Sequence, residues 1–221
     1  MKRRPAVLVL AAGRGSRFLG LGHKLAQSLG GSHEAARLTE PGTPDDDDTV
    51  LASTVAHAIE TGLRVVVVST KALAPLSLDL VAARDVILLP ELDSQGRPAP
   101  VGMGYSIAAG VSASGDANGW LIVPGDMPLL QTSSMLAVAA ALDQHAVAYA
   151  QHHGRQGHPV GFSAELFSEL VGLQGDEGAR RIVARYPSQA VEVDDPGVLM
   201  DVDTVEDLAR IKALQQQALK A

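Results

Sequence analysis

Apolar positions in this chain fall into short, separate runs rather than one long stretch. Residues 6–11, Arg64-Val-Val-Val-Val-Ser69, Asp85-Val-Ile-Leu-Leu-Pro90, Gly119-Trp-Leu-Ile-Val-Pro124 and residues 146–150 are almost continuously aliphatic. They have the length and composition of strands buried on both faces. Between them, apolar residues recur at helical spacing. Asp48 or Thr49 caps a helix running to about Thr61, with Leu51, Val55, Ala58 and Ile59 on one face. Further helices are expected over residues 73–83, 106–112, 132–142 and 164–171, and again from the 175–180 turn through about Ala184. Residues 198–204 read as a last strand, which would put Asp201 and Asp203 on one face, followed by a helix to Lys220. Thr204 followed by Asp207 caps that helix. Strands alternating with helices imply an α/β fold, a mostly parallel sheet covered by helices on both faces.

No internal repeat or linker divides the chain, so residues 1–221 read as one domain. One stretch departs from the pattern. Residues 32–48 are polar, with Pro41, Gly42, Pro44 and four consecutive aspartates, and read as an exposed, flexible insertion. The Asp45–Asp48 run has no scaffold to arrange it around a metal and reads as a solvated face.

The richest chemistry follows the first strand. Gly13, Gly15, Gly20 and Gly22 share a loop with Arg14, Arg17 and Lys24. Glycines let backbone N–H groups line a concavity, and three cations there suit an anion of several charges, such as a nucleoside triphosphate. The P-loop pattern fails, because Lys24 follows His23 and precedes Leu25. The dinucleotide fingerprint fails as well, since Phe18 stands where its third glycine belongs.

Asp126 closes the fourth apolar run between Pro124 and Pro128. In open α/β sheets ligands bind at the carboxyl ends of strands, so it reads as a carboxylate delivered to the site mouth, with a helix N-cap as the plainer reading. The loop ending in Gly102-Met-Gly-Tyr-Ser106 meets the start of the helix placed at Ser106, whose free N–H groups and dipole face whatever occupies that loop. His152, His153 and His158 lack the spaced third ligand of a zinc site. Residues 157–161 look instead like a turn entering a strand and closing over a ligand.

Composition narrows the field. Hydrophobic residues make up 46% of the 221 and charged residues 19%, ordinary for a globular protein. With aromatics at 3%, the core must be aliphatic. A formal net charge of −7 argues against nucleic acid or an anionic membrane as partner. The absence of cysteine excludes disulfides, thiolate metal sites and a thiol nucleophile. The amino terminus runs into a strand without a signal-peptide pattern, and a soluble, cytoplasmic protein is expected.

Six motifs in order carry a resemblance: L-A-A-G-R-G-S-R (10–17) with Lys24, G-M-G-Y-S (102–106), P-G-D-M-P (124–128), G-H-P (157–159), G-D-E-G-A-R (175–180) and D-V-D-T (201–204). Together they resemble the MobA-like nucleotidyltransferases, most closely the molybdenum cofactor cytidylyltransferase branch. The resemblance implies a Rossmann-like nucleotidyltransferase fold and transfer of CMP from CTP to the phosphate of molybdopterin-bound molybdenum. It implies that Leu10, Ala11, Ala12, Gly13, Arg14, Gly15, Arg17 and Lys24 hold the triphosphate, and that Gly102, Met103, Gly104 and Ser106 contact the nucleotide. Asp126 would bind Mg²⁺ with Asp203 or Asp201, and Lys24, Arg17 and Asp126 would carry the chemistry. His158 and Pro159 would lie beside the acceptor. Ala12 favours CTP, since L-A-G-G accompanies GTP use in the family. A molybdenum hydroxylase or its chaperone is the implied recipient. Arg17 and Lys24 stand further apart than in the usual R-x-G-x-x-K form, which predicts altered loop geometry. The competing readings are GTP or another phosphorylated acceptor, an NAD(P)H-dependent reductase, and a non-catalytic cofactor chaperone.

Overall fold

The computed structural model describes residues 4–13, 15, 18–20, 22–30, 49–91, 95–96 and 102–218. The 32–48 insertion with its aspartate run, Arg14, Arg17 and residues 219–221 lie outside the described residues.

Strand β1 (Ala6–Leu10) is followed by α1 (Val50–Glu60), β2 (Arg64–Ser69), α2 (Ala74–Leu80), β3 (Val86–Leu88), α3 (Met103–Ala113), β4 (Gly119–Pro124) and α4 (Thr132–Ala141). Then come β5 (Val147–His152), β6 (Arg155–Ser163), α5 (Phe167–Val171), α6 (Arg180–Arg185), β7 (Ser188–Glu192) and α7 (Val205–Ala218). One seven-stranded sheet runs β3-β2-β1-β4-β6-β5-β7. All neighbours are parallel except those of β6, which opposes both β4 and β5. The expected mostly parallel α/β architecture is what forms.

Alternation along β1 explains the layering. Val7 and Val9 point into one apolar layer with residues of α1, α2, α4 and α7, while Ala6 and Leu8 point into the other with α3, α5 and α6. A strand buried on both faces must be apolar throughout, and four of the five residues of β1 are fully buried. Its two neighbours in the sheet, β2 and β4, are reached through helices on opposite faces. That reversal makes the carboxyl ends of β1 and β4 the switch point of the sheet, where a crevice opens. The loops leaving the two strands are tied together there, Gly125 N–H donating to Leu10 C=O at 2.9 Å.

Five sequence expectations change. Ile59 is 48% exposed while Leu51, Val55 and Ala58 are buried, so the inward face of α1 is narrower than its spacing suggests. Helix α3 begins at Met103, not Ser106. Residues 157–161 are the middle of β6 rather than a turn; the turn is at His153-Gly154. The final acidic segment is not a strand: a tight 3-10 turn, Pro196–Leu199, leads into an extended but unpaired stretch. Strand β7 was not anticipated, because Ser188-Gln-Ala-Val-Glu192 is a half-exposed edge with little apolar pattern. The expected α1 cap is Thr49, whose Oγ1 accepts from Ala52 N–H at 3.2 Å. No described helix is long and apolar enough to cross a membrane.

Candidate active site

The site builds outward from the crevice between β1 and β4. Ala11, directly after β1, is buried and donates its N–H to Val68 C=O, holding the start of the glycine loop against the sheet. Leu10 and Ala12 are half-buried and Gly13 is exposed, so the loop emerges at the crevice. His23 then shapes it. Its Nδ1 accepts from Leu25 N–H at 3.2 Å, which leaves the hydrogen on Nε2, 3.1 Å from the Gly13 carbonyl oxygen it donates to. The same contacts start the 3-10 turn Lys24–Ala26. Gly15, at φ +59°, is where the stem of Lys24 crosses the loop; a Cβ there would lie 3.4 Å from Lys24 Cγ.

Lys24 is thus aimed across the crevice. Its Nζ donates to Asp126 Oδ2 at 2.5 Å and to Asp203 Oδ1 at 3.0 Å. Only 11% of the Lys24 side chain is exposed, against 15% for Asp126 and 22% for Asp203. Burial alone would lower the lysine pKa, but the charges and hydrogen bonds of the two carboxylates outweigh it and hold it above the ordinary value. Asp126 is not a helix cap, since the next helix starts only at Thr132. It sits in a turn whose carbonyl oxygen accepts from Val202 N–H at 2.9 Å, which fastens the 201–203 segment to the end of β4.

Asp201 completes the cluster. One carboxylate oxygen from each of Asp126, Asp201 and Asp203 lies within 4.8 Å of the others, the one such acidic group among the described residues. Partial burial, then repulsion from Asp126 and Asp203, raises the Asp201 pKa above the usual carboxylate value, with Lys24 pulling the other way. Asp126 Oδ1 is buried and accepts no hydrogen bond among the described residues. Among the described residues, three carboxylates face the one ammonium of Lys24, an all-oxygen set of the kind that suits a small oxygen-seeking cation.

His158 stands on β6, next to β4 in the sheet, and its peptide bond to Pro159 is cis. Burial pushes its pKa down to about 4, against the upward pull of Asp201, so the imidazole is neutral at physiological pH. The Gly102–Ser106 segment is arranged differently from expectation. Gly104 N–H donates to Gly175 C=O at 2.9 Å, and Ser106 Oγ donates to Gly102 C=O at 3.2 Å. A Cβ on Gly104 would come within 2.7 Å of the Gln174 backbone oxygen, so helix α3 starts backbone against backbone on the 174–175 turn. Met103, 45% exposed, is the side chain of the set that faces outward.

The structure brings Lys24, Asp126, Asp201 and Asp203 together, with His158 within electrostatic reach of Asp201. Sequence reasoning overlooked His23, although its place directly before Lys24 was the available signal.

The family model of the MobA-like NTP transferase domain matches residues 7–191. The chain belongs to this family. Solved structures extend the likeness in fold over almost the whole chain. The crystal structure of the Mycobacterium tuberculosis Rv0371c homologue from Mycobacterium sp. strain JC1 superposes with a TM-score of 0.76 at 24% identity, covering 99% of this chain and 100% of that one. Rv0371c from Mycobacterium tuberculosis H37Rv in complex with manganese superposes at 0.67 and 22% identity, covering 96% and 100%. The purine catabolism protein PucB of Bacillus subtilis (strain 168) is 34% identical over 116 residues, which is 50% of this chain and 56% of PucB. The chain therefore spans little more than half the length of this curated relative.

Proposed function

We propose that this MobA-like protein transfers CMP from CTP to the phosphate of a molybdopterin-type cofactor, releasing pyrophosphate. One observation carries the reading: Lys24 from the β1 loop meets Asp126 and Asp203, with Asp201 beside them, at the switch point of the sheet. The family, the L-A-A-G form of the loop and the order of the six motifs support it.

The donor side is assigned to Leu10, Ala11, Ala12, Gly13, Arg14, Gly15 and Arg17, with Gly102, Met103, Gly104 and Ser106 toward the nucleoside. Lys24 has three N–H donors, two of them spent on carboxylates. The third is available to a phosphate oxygen, so the lysine links the triphosphate to the acidic cluster. Asp126, Asp201 and Asp203 would hold a divalent cation, which we assign as Mg²⁺. The unpartnered Oδ1 of Asp126 and the all-oxygen donor set fit such an ion. When bound, it would screen the charge that accumulates on the phosphoryl oxygens. The manganese complex of Rv0371c supports a divalent ion in this fold.

The acceptor phosphate monoester, with a second pKa of ~6, is largely a dianion at neutral pH and needs no general base. Its oxygen attacks the α-phosphorus and the bond to the β-phosphate oxygen breaks. The electron pair leaves on pyrophosphate, and Lys24 with Arg14 and Arg17 compensates that charge. His158 and Pro159 are assigned to the acceptor side. Ser69 ends β2 where a dinucleotide site would need an acidic residue; it is fully buried and 2.8 Å from Ser77 Oγ, which speaks against the reductase. A molybdenum hydroxylase, or its chaperone, is the recipient this reading implies.

A thermal-shift panel of CTP, GTP, ATP, UTP and NADPH, each with and without Mg²⁺, tests the reading. Metal-dependent stabilisation by CTP is expected, about 2.7 kcal/mol at a hundredfold excess over Kd. A preference for GTP would change the product, and a metal-independent response to NADPH alone would overturn the transferase.

A further inference from the structure

The chain between β1 and the turn at Lys24 is long, and a single ring ties its two ends together. His23 is half-buried and stands directly before that 3-10 turn, in extended backbone at φ −84° and ψ 134°. This is the position of a cap, where a side-chain acceptor meets a free N–H. Serine, threonine, asparagine or aspartate would serve the cap alone. Imidazole does more, because its second nitrogen points away from the first and donates when the first accepts. Nδ1 takes the Leu25 N–H at 3.2 Å, and Nε2 gives its hydrogen to Gly13 C=O at 3.1 Å. One neutral tautomer satisfies both bonds.

The two partners of the ring differ in how firmly they are held. The turn is anchored. Leu25 is buried, Val50 N–H donates to Gln27 C=O at 3.0 Å, and Ser28 bridges to Thr49, the cap of α1. The His23 carbonyl oxygen accepts from Ala26 N–H at 3.0 Å and from Gln27 Nε2 at 3.3 Å. Gly13, by contrast, is exposed. Within the loop, Phe18 N–H donates to Gly15 C=O at 2.9 Å, and Leu19 next to it is 91% exposed. Ordering such a loop costs entropy, and a contact made before the ligand arrives removes that cost from binding. Gly15 lies against both the ring and the lysine stem, since a Cβ there would stand 4.0 Å from His23 Nε2 and 3.4 Å from Lys24 Cγ. The bond to Gly13 also has an electrostatic role. A carbonyl oxygen left unpaired in a loop that receives an anion would repel it, and the ring engages this one.

We infer that His23 is a positioning residue of the transfer site whose two nitrogens do separate work. Nε2 fixes the Gly13 end of the loop relative to Lys24. Nδ1 fixes the turn that aims Lys24 at Asp126 and Asp203. What the loop and the lysine bind is taken from the reaction proposed above; the clasp itself stands on the geometry.

Two carboxamides divide the contacts of the ring. His23→Asn keeps an acceptor where Nδ1 stands and is too short to reach Gly13. His23→Gln carries a donor to where Nε2 stands and gives up the cap. The asparagine variant should weaken CTP with Mn²⁺ about three- to tenfold, the scale of one lost hydrogen bond, and leave Mn²⁺ affinity without nucleotide unchanged. The glutamine variant should tighten Mn²⁺ without nucleotide, as Lys24 loosens from the carboxylates, and speed hydrogen exchange at the Leu25 amide. In the parent chain, nitrogen chemical shifts of the His23 ring in mildly alkaline buffer should place the hydrogen on Nε2. A hydrogen on Nδ1, equal changes in the two variants, or no change in either would overturn the inference. A parent chain that fails to bind CTP would overturn the proposed reaction, while the ring tautomer and the Leu25 amide would still decide the clasp.

Discussion

Lys24 and Asp126 are 102 residues apart in sequence, yet Nζ and Oδ2 lie 2.5 Å from each other in the crevice between β1 and β4. The pair joins the loop that reads as phosphate-binding to the carboxylate that reads as metal-binding. Neither half would place the other without the parallel pairing of β1 and β4, in register from Ala6↔Trp120 to Leu10↔Pro124.

Removing the carboxylate should separate chemistry from folding. Asp126→Ala is expected to lower turnover by on the order of a hundredfold or more, the rate equivalent of a few kcal/mol of lost charge stabilisation. Its far-UV circular dichroism should match the parent's. Near-normal turnover would remove Asp126 from the site.

Lys24→Ala tests the other partner. Triphosphate affinity, measured by calorimetry, should fall about tenfold or more with the loss of a charge-assisted contact. Losing the ammonium also leaves Asp126 and Asp203 without their counter-ion, so Mn²⁺ binding in the absence of nucleotide should tighten. An unchanged affinity for both ligands would contradict the role given to Lys24.

His158 predicts a pH dependence. Its folded pKa of about 4 lies below the ordinary 6.5, so the native state resists protonation. The stability it contributes is complete above the ordinary value and is lost as pH falls from there toward the folded one. His158→Asn should flatten the decline in melting temperature between pH ~7 and ~4.5. Equal slopes in parent and variant would place the imidazole in water.

The last helix carries a reciprocal cap. Thr204 Oγ1 accepts from Asp207 N–H at 3.1 Å, while Asp207 Oδ2 accepts from Thr204 N–H at 2.9 Å. Thr204→Ala should cost about 1 kcal/mol in urea unfolding. The hydrogen bond from the Thr204 side chain leads the contacts that hold the Asp207 pKa below its usual value. Its contribution is therefore present above the ordinary carboxylate range and fades as pH falls through the depressed value.

Gly104→Ala should destabilise, against the usual helix preference for alanine. The added carbon would meet the Gln174 backbone at 2.7 to 2.8 Å, and backbone has little freedom to yield. A loss of about 1–3 kcal/mol is expected, as for other overpacked sites. A higher melting temperature would show that the 174–175 turn is not seated where described.

Legibility in the sequence follows local pattern strength. β2 was recognisable to the residue and β4 to within two residues of its end, because a strand buried on both faces is a bare aliphatic run. β7 was not, since an edge strand of Ser, Gln and Glu borrows its order from β5. Asp201 and Asp203 were placed on a strand because alternation is a strand signal, whereas the Val202 N–H bond to Asp126 sets their position without any sheet pairing. Their closeness to Asp126 was legible only through resemblance. The partnership of Lys24 with two aspartates, and the sealing of α3 by Gly175, arise from tertiary contacts that leave no local trace.

The reversal of β6 has a consequence for change over generations. Because this one strand runs backwards, its entry end, with Gly157 and His158, opens where its neighbour β4 finishes. That end is fed by a surface turn at His153-Gly154 instead of by a buried crossover. Hairpin tips accept insertions and substitutions that a parallel connection would not. The half of the molecule assigned to the acceptor is therefore free to vary, while the half assigned to the donor stays locked into the centre of the sheet, so one scaffold can keep its reaction and exchange its second substrate.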